Sequence, residues 1–320
     1  MLHKTSKIYV AGHTGLVGSA ILRRLERDGY SNLTYRKREE LNLEDAMATV
    51  DFFKKERPEI VFMAAAKVGG IHANNTYPVE FIMSNLLVQA NIFRAAYEVK
   101  VPKVIFLGSS CIYPRDCPQP IKEEYFLSGT LESTNRAYAI AKIAGVEMCW
   151  SYNREYQTQW LAVMPTNLYG PGDHYDLKNS HVLPALIRKI HEAKMNQLSE
   201  VVLWGSGRAR REFLYVDDMV DALIYLATLS SDRFGDLVNP LKSPLINIGS
   251  GKDLMISELA DTIAKVIGYQ GQFIYDVSMP DGTMQKLLDI EKISHLGWTQ
   301  KVKLSEGISL AYQDYLKRFN

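Results

Sequence analysis

Cysteine is scarce: Cys111, Cys117 and Cys149 are the 3 in 320 residues. Three thiols cannot all pair within one chain, and their spacing fits neither a zinc site nor a redox pair, so neither a disulfide scaffold nor a bound metal is expected. Charge of one sign is lacking too. Lys and Arg number 37 against 36 Asp and Glu, a net +1, which leaves no general basic field to hold nucleic acid or an acidic membrane surface. Any anion must be met locally. Long apolar runs are also missing. The longest, residues 60–66 (IVFMAAA), falls far short of the roughly 20 residues a bilayer requires. The opening MLHKTSKIYV runs straight into a strand-like stretch without a secretory pattern, so the expected location is the cytoplasm, with no membrane partner. With 21 Gly and 12 Pro the chain is neither collagen-like nor low in complexity, and 47% hydrophobic residues suffice for a full core.

The length corresponds to about two domain-equivalents, or to one large α/β unit with an embedded lobe. Short β-branched runs at 7–10, 32–35, 60–65, 103–108 and 160–164 alternate with amphipathic stretches at 16–28, 44–56, 81–98 and 137–155. That alternation predicts an α/β fold, a doubly wound Rossmann-type parallel sheet. After Pro165 the regularity changes. The loop 169–179 is rich in Gly, Pro and Asp, a helical stretch follows at 182–194, and a strand-like 201–203 leads into GSGRARREF. The expected organisation is a cofactor domain over 1–170, rejoined by segments near 213–250, and a smaller, interleaved C-terminal α/β lobe over 171–320 that binds the substrate. The apolar runs at 213–216 and 245–248 are the segments expected to return.

Gly12-His13-Thr14-Gly15-Leu16-Val17-Gly18 follows the first strand and opens a helix. Glycines there let backbone N–H groups approach a pyrophosphate at a helix N-terminus, where orphan donors and the helix dipole favour an anion. The alternative is a plain strand-to-helix turn. Cofactor type is legible at the end of the second strand, where a carboxylate would bond a ribose 2′-OH. The tract here is Tyr35-Arg36-Lys37-Arg38, with no acid before Glu39. It suits a 2′-phosphate gripped by Arg36 and Arg38, hence NADP(H), unless it is a solvated basic loop. Further on, Tyr138-Ala-Ile-Ala-Lys142 puts a phenol and an ammonium on one helical face. A nearby ammonium favours the phenolate and makes the pair a tunable proton donor. Tyr-x-x-x-Lys also occurs on ordinary helix surfaces, but this one follows LGSSCIY, at the carboxyl end of a central strand, where open α/β sheets bind ligands. Ser109 can there hydrogen-bond a carbonyl or its alkoxide.

These residues resemble the extended short-chain dehydrogenases/reductases that act on nucleotide sugars, and within them a branch that epimerises and reduces GDP-4-keto-6-deoxy sugars. AGHTGLVGSAI, AAAKVGGIHANNTYP, FLGSSCIYP, YAIAKIAG, MPTNLYGP, NSHVLPALIRK, LWGSG, REFLYVDDM and PDGTMQKLLD carry the resemblance over nearly the whole chain. The glycine turn and Tyr138/Lys142 mark the broad family; AAAKVGGI, SSCIYP and NSHVLPALIRK mark the branch. The resemblance implies a reductase triad of Ser109, Tyr138 and Lys142, and Cys111 and His181 as acid/base groups for inversion at C3 and C5. It implies NADP(H) bound by the glycine turn, by Leu107, Gly108, Ser109 and Ser110, by Lys142, by Pro165, Thr166, Asn167 and Leu168, and by His181. It further implies a GDP-sugar held by Lys189, Trp204, Arg211 and Asp281, and a homodimer paired through two helices of the cofactor domain. The chemistry is coherent: a 4-keto sugar has acidic C–H bonds on both sides of the ketone, and inversion needs one group to take a proton and another to return it. A thiol and an imidazole titrate in the useful range. Outside that resemblance Cys111 reads as a small buried thiol, His181 as a loop residue, Lys189 as a solvated helix charge, Trp204 as core, Arg211 as a partner of Glu212 or Asp217, and Asp281 as a turn residue. Some members of the branch carry arginine in the glycine turn; this chain has Thr14, which leaves the 2′-phosphate more to Arg36 and Arg38.

Other readings compete. A sugar 4,6-dehydratase would place an Asp-Glu pair after the catalytic Ser/Thr, where Ser110 and Cys111 stand here. A 4-epimerase that retains NAD would have no use for the basic 36–38 tract. A close relative acting on a 3,6-dideoxy sugar, as in colitose formation, is left open. A non-catalytic dinucleotide sensor could keep the glycine turn but would have no reason to keep Ser109, Cys111, Tyr138, Lys142 and His181 together.

Overall fold

A computed structural model of the chain describes residues 2–177, 180–279 and 281–319. Asn179 and Pro280, which sit in two of the motifs quoted above, lie outside them. In chain order the first half comprises β1 (Ile8–Ala11), α1 (Leu16–Arg27), β2 (Leu33–Thr34), α2 (Ala46–Glu56), β3 (Ile60–Met63), α3 (Ile71–Thr76), α4 (Pro78–Glu98), β4 (Lys103–Leu107), α5 (Arg136–Tyr156) and β5 (Gln159–Pro165). The second half comprises β6 (Asn167–Tyr169), α6 (Val182–Met195), β7 (Glu200–Trp204), β8 (Arg210–Tyr215), α7 (Val216–Thr228), α8 (Ser231–Leu237), β9 (Leu245–Ile248), β10 (Asp253–Met255), α9 (Ile256–Ile267), β11 (Gln272–Asp276), β12 (Gln285–Lys286), α10 (Glu291–His295) and α11 (Leu304–Phe319).

Among the described residues, β2-β1-β3-β4-β5-β9 form one parallel sheet in that order. The IYVA, IVFM and KVIFL strands are buried on both faces, which is why they read as continuous apolar runs instead of alternating ones. One face packs against α1 and α7, with Ile21, Leu25, Met219 and Leu223 in the core. The other packs against α2, α4 and α5 through Phe53, Ile92, Phe93 and Val146. The chain leaves β1 toward β2 on one side and reaches β3 on the other, so the carboxyl ends of β1 and β3 open a crevice at the point where the strand order reverses.

The expected doubly wound sheet is present. Residues 245–248 return to it as β9, beside β5. Residues 213–216 do not: β8 pairs with β6, β10 and β12 in a separate small sheet. The reason lies in its alternation. Leu214 faces the core of the large sheet, whereas Phe213 and Tyr215 face a third core, built by α6, α9 and α11 around Leu186, Ile190, Ile263 and Ile308. β8 is thereby a seam between two cores. No helix among the described residues is long and apolar enough to cross a membrane.

Candidate active site

At the crevice the backbone closes tightly around three glycines. Gly12 has φ +82°, and a Cβ on it would lie 2.6 Å from the Ala65 nitrogen; a Cβ on Gly18 would lie 2.1 Å from the Gly12 carbonyl oxygen. No side chain caps the start of α1, and its first turn holds no acid, so its free N–H groups and dipole face outward as an anion cradle. Alongside is a pocket of about 380 Å³ lined by His13, Leu33, Tyr35, Arg36, Lys37 and Glu40. The His13 and Tyr35 rings lie 4.8 Å apart, and His13 Nδ1 is buried without a partner. Arg36 borders this pocket but is held by Glu56 (3.1 Å), and Arg38 is outside the lining, paired with Glu44 at 2.9 Å. Lys37, which the sequence reading passed over, lines it. Thr14 is exposed on the glycine turn.

The central strand β4 ends at Leu107, and the Gly108 N–H donates to the Val163 carbonyl at 2.9 Å, tying the next residues to β5. The Ser109 hydroxyl accepts from the Cys111 N–H at 3.3 Å and starts a short 3₁₀ turn, Ser110–Ile112. Ser109 also lies near enough to the Tyr138 phenol to favour its phenolate, and Tyr138 projects from α5 one turn before Lys142. Phe81 stands edge-on to the Tyr138 ring at 6.3 Å. Lys142, 2% exposed, donates to the Leu107 carbonyl at 2.7 Å, with its nitrogen 4.8 Å from the centre of the Phe106 ring and 5.7 Å from that of Tyr138.

The electrostatics here differ from the sequence expectation. Burial pushes the Tyr138 phenol well above its ordinary range, Cys111 adds to that, and Ser109 only partly opposes it. Burial also lowers Lys142 to about 7. An amine so poorly solvated is a weak source of positive charge, so it does not draw the phenol toward phenolate. The consequence is a tyrosine that keeps its proton at neutral pH and has it to give.

Cys111 lies beside this pair. Its sulfur is 3.2 Å from the Asn135 amide nitrogen and 3.8 Å from the Lys286 ammonium, the latter carried in by β12. Arg211, on β8 directly opposite Lys286, lies near enough to feel Cys111, Asp281 and Glu132, although burial disfavours its charge. His181 occupies the N-cap position of α6 and is exposed to solvent; no hydrogen bond joins it to Cys111 or Tyr138 among the described residues.

Of the proposed substrate residues, Lys189 places its ammonium 5.2 Å from the Trp204 ring centre, and Trp204 is 53% exposed, a surface residue and not core. Arg211 pairs with neither Glu212 nor Asp217; it donates to the carbonyls of Arg210 and Asp281. The Asp281 carboxylate accepts from the Ser206 N–H at 2.7 Å and from its hydroxyl at 2.8 Å, so it braces the WGSG turn before it meets any ligand. Pro165, Thr166, Asn167 and Leu168 span the junction from the end of β5 into β6, with Thr166 and Asn167 both donating to the Glu212 carbonyl, at 3.1 and 2.8 Å.

Besides Lys37, three residues around the candidate site escaped the sequence reading. Asn135 looks like an ordinary residue before a helix, and Lys286 sits in a polar stretch with no period. Glu212, fully buried, accepts through one oxygen from the Ser250 and Gly251 N–H groups (2.6 and 2.7 Å) and through the other from Leu288 (2.9 Å). An acid set between two arginines and an apolar run, in RREFLY, was its only signal.

The NAD dependent epimerase/dehydratase family model matches residues 8–239. GDP-L-fucose synthase of Escherichia coli (strain K12) is 51% identical over 311 residues, covering 97% of each chain. GDP-L-colitose synthase of Yersinia pseudotuberculosis is 40% identical, over 98% of this chain and 99% of its own. Among solved structures, a GDP-L-fucose synthetase from Naegleria fowleri bound to NADP superposes with a TM-score of 0.87 at 27% identity, covering all of this chain and 96% of that one.

Proposed function

The chain belongs to the NAD dependent epimerase/dehydratase family, and from that premise we propose that it inverts C3 and C5 of GDP-4-keto-6-deoxy-D-mannose and reduces the C4 ketone, forming GDP-L-fucose. The observation that carries this reading is the juxtaposition of two chemistries: a proton-holding phenol near Ser109 and Cys111, and at that thiol an amide and an ammonium. A generic reductase needs only the first. The 3,6-dideoxy alternative is less favoured, since the colitose enzyme stands at 40% identity against 51% for the fucose enzyme.

NADP(H) is the cofactor and supplies the hydride when bound; the glycine cradle, which a Cβ would fill, and the basic pocket beside it fit its phosphates. The ketone acidifies the C3 and C5 hydrogens, so Cys111 and His181 act as the pair that removes a proton from one face and returns one to the other. Tyr138 then gives its proton to the C4 oxygen as it becomes an alkoxide, Ser109 hydrogen-bonds that oxygen, and Lys142 orients ribose hydroxyls. Lys189, Trp204, Arg211 and Asp281 hold the GDP-sugar: cations for the diphosphate, an aromatic face for base or sugar, and a carboxylate that fixes the turn carrying Trp204.

The proposed division of labour gives residues 1–170, rejoined by α7 and by β9, to the cofactor and the remainder of 171–320 to the substrate. We also propose a cytoplasmic homodimer paired through two helices of the cofactor domain. α4 and α5, which pack on each other and expose Tyr97 and Tyr156, suit that role. The test is product analysis by NMR after reaction with NADPH and the ketosugar in D₂O. Deuterium at both C3 and C5 with a reduced C4 is expected; reduction with protium retained at both carbons would reject epimerisation.

A further inference from the structure

We propose that Asn135 and Lys286 are positioning residues for Cys111, holding its sulfur ready to take and return a sugar proton. This rests on the reading of Cys111 as an acid/base group and names how the protein equips it. The two side chains reach the sulfur from opposite parts of the chain. Asn135 stands at the entry to α5, with its amide nitrogen 3.2 Å from Sγ. Lys286 arrives on β12, 175 residues after the cysteine, with its ammonium at 3.8 Å. β12 is held from two sides: the Leu287 N–H donates to Gln119 Oε1 at 2.8 Å and the Leu288 N–H to Glu212 Oε2 at 2.9 Å. Lys286 is therefore delivered by a fixed strand, not by a loose surface loop.

The chemistry of each group matches one protonation state of the thiol. When Cys111 removes a hydrogen beside the ketone, the C–H electron pair passes into the carbonyl to give the enolate, and the thiolate becomes a thiol. Before that step an N–H of Asn135 and the ammonium of Lys286 both face the negative sulfur, one as a donor and one as a charge. After it, the S–H needs an acceptor. Asn135 Oδ1 is buried and has no partner. A carboxamide carries donor and acceptor on one rotor, so the same side chain serves either state by turning. An orphaned buried acceptor is otherwise costly. The other ionisable groups around the sulfur are Tyr138 on α5 and Arg211 on β8, and Lys286 also acts on Cys117. Arg211 is engaged with the Arg210 and Asp281 carbonyls, which leaves Lys286 as the cation at sulfur contact.

The experiment is alkylation of Cys111 by iodoacetamide, which forms the S–C bond and releases iodide, with the modified peptide quantified by mass spectrometry. At pH 7, Lys286→Met is expected to slow alkylation about tenfold and Asn135→Ala about fivefold, on the order of a partly screened charge contact. Lys286→Arg should restore most of the rate. At pH 9.8, well above the range of an ordinary thiol, all variants should fall within about twofold of the parent. Either variant reacting at the parent rate at pH 7 overturns the assignment of that residue, and a deficit that persists at pH 9.8 overturns both by revealing a change of access. The underlying reading fails separately: Cys111→Ser that still incorporates deuterium at the parent rate would reject Cys111 as acid/base whatever the alkylation shows.

Discussion

Replacing Lys142 by methionine should stabilise the fold while removing reductase activity. The lysine is 2% exposed and burial lowers it from its ordinary 10.5 to about 7. The sign follows from linkage. Below about pH 7 the amine is charged in both folded and unfolded chains, and the folded state carries the full cost of burying that charge. Between about 7 and 10.5 the unfolded chain holds a proton that the folded chain has lost, so the penalty shrinks as pH rises and vanishes above 10.5. At about 1.4 kcal/mol per unit, the shift corresponds to roughly 5 kcal/mol at neutral pH. Methionine removes that penalty but leaves the Leu107 carbonyl without its 2.7 Å donor, a loss of about 1–3 kcal/mol. The net expectation is a gain of roughly 2–4 kcal/mol, or about 4 °C in Tm for a chain of this size. Thermal denaturation of both proteins at pH 7 and pH 10 is the assay. The advantage should disappear, or reverse, at pH 10. A variant equally destabilised at both values would refute the premise that the lysine is held against a desolvation penalty.

Two further substitutions probe the scaffold. Gly18→Ala puts a Cβ 2.1 Å from a backbone carbonyl that cannot rotate away, so NADPH affinity by fluorescence titration should fall at least about 100-fold, with about 1–3 kcal/mol lost in stability; unchanged affinity would contradict the cradle. Glu212→Gln can still accept from Ser250 and Gly251, but its NH₂ meets the Leu288 N–H donor to donor. Urea denaturation should show a loss of about 1–3 kcal/mol, whereas a more stable variant would mean that desolvation of the buried carboxylate dominates.

The large sheet was legible because its strands are buried on both faces and its helices carry a 3.6 period, so β1, β3, β4, β5, α1, α4 and α5 each announce themselves locally. Local legibility also covered Ser109, Tyr138 and Lys142, which the turn after β4 and one helix face bring together. The small sheet was not legible in the same way. β6 and β12 are three and two residues long, and each is a strand only because β8 offers it a ladder; no periodicity fits into two residues. Lys286 therefore appeared as an ordinary cation in PDGTMQKLLD, and Arg211 was singled out only through the family resemblance. The protonation of Tyr138 was misjudged for a related reason. Spacing places the ammonium on the same face, but only the packing reveals that Lys142 is buried enough to be a poor cation.

These two halves divide the electrostatic work of the cleft. The wall built by the large sheet and α5 is desolvated: it keeps a proton on the Tyr138 phenol and weakens the charge on Lys142. The cations facing Cys111 come from the opposite wall, with Arg211 and Lys286 side by side on β8 and β12. Under the proposed mechanism, proton donation to an alkoxide favours the first environment, where a neutral acid would meet the negative charge that develops on the C4 oxygen. Proton abstraction from carbon favours the second, where a sulfur anion needs positive charge beside it. The two environments can adjoin because β8 faces two cores at once: its apolar residues stay anchored in both hydrophobic cores while β12, paired to its edge, carries Lys286 to the thiol.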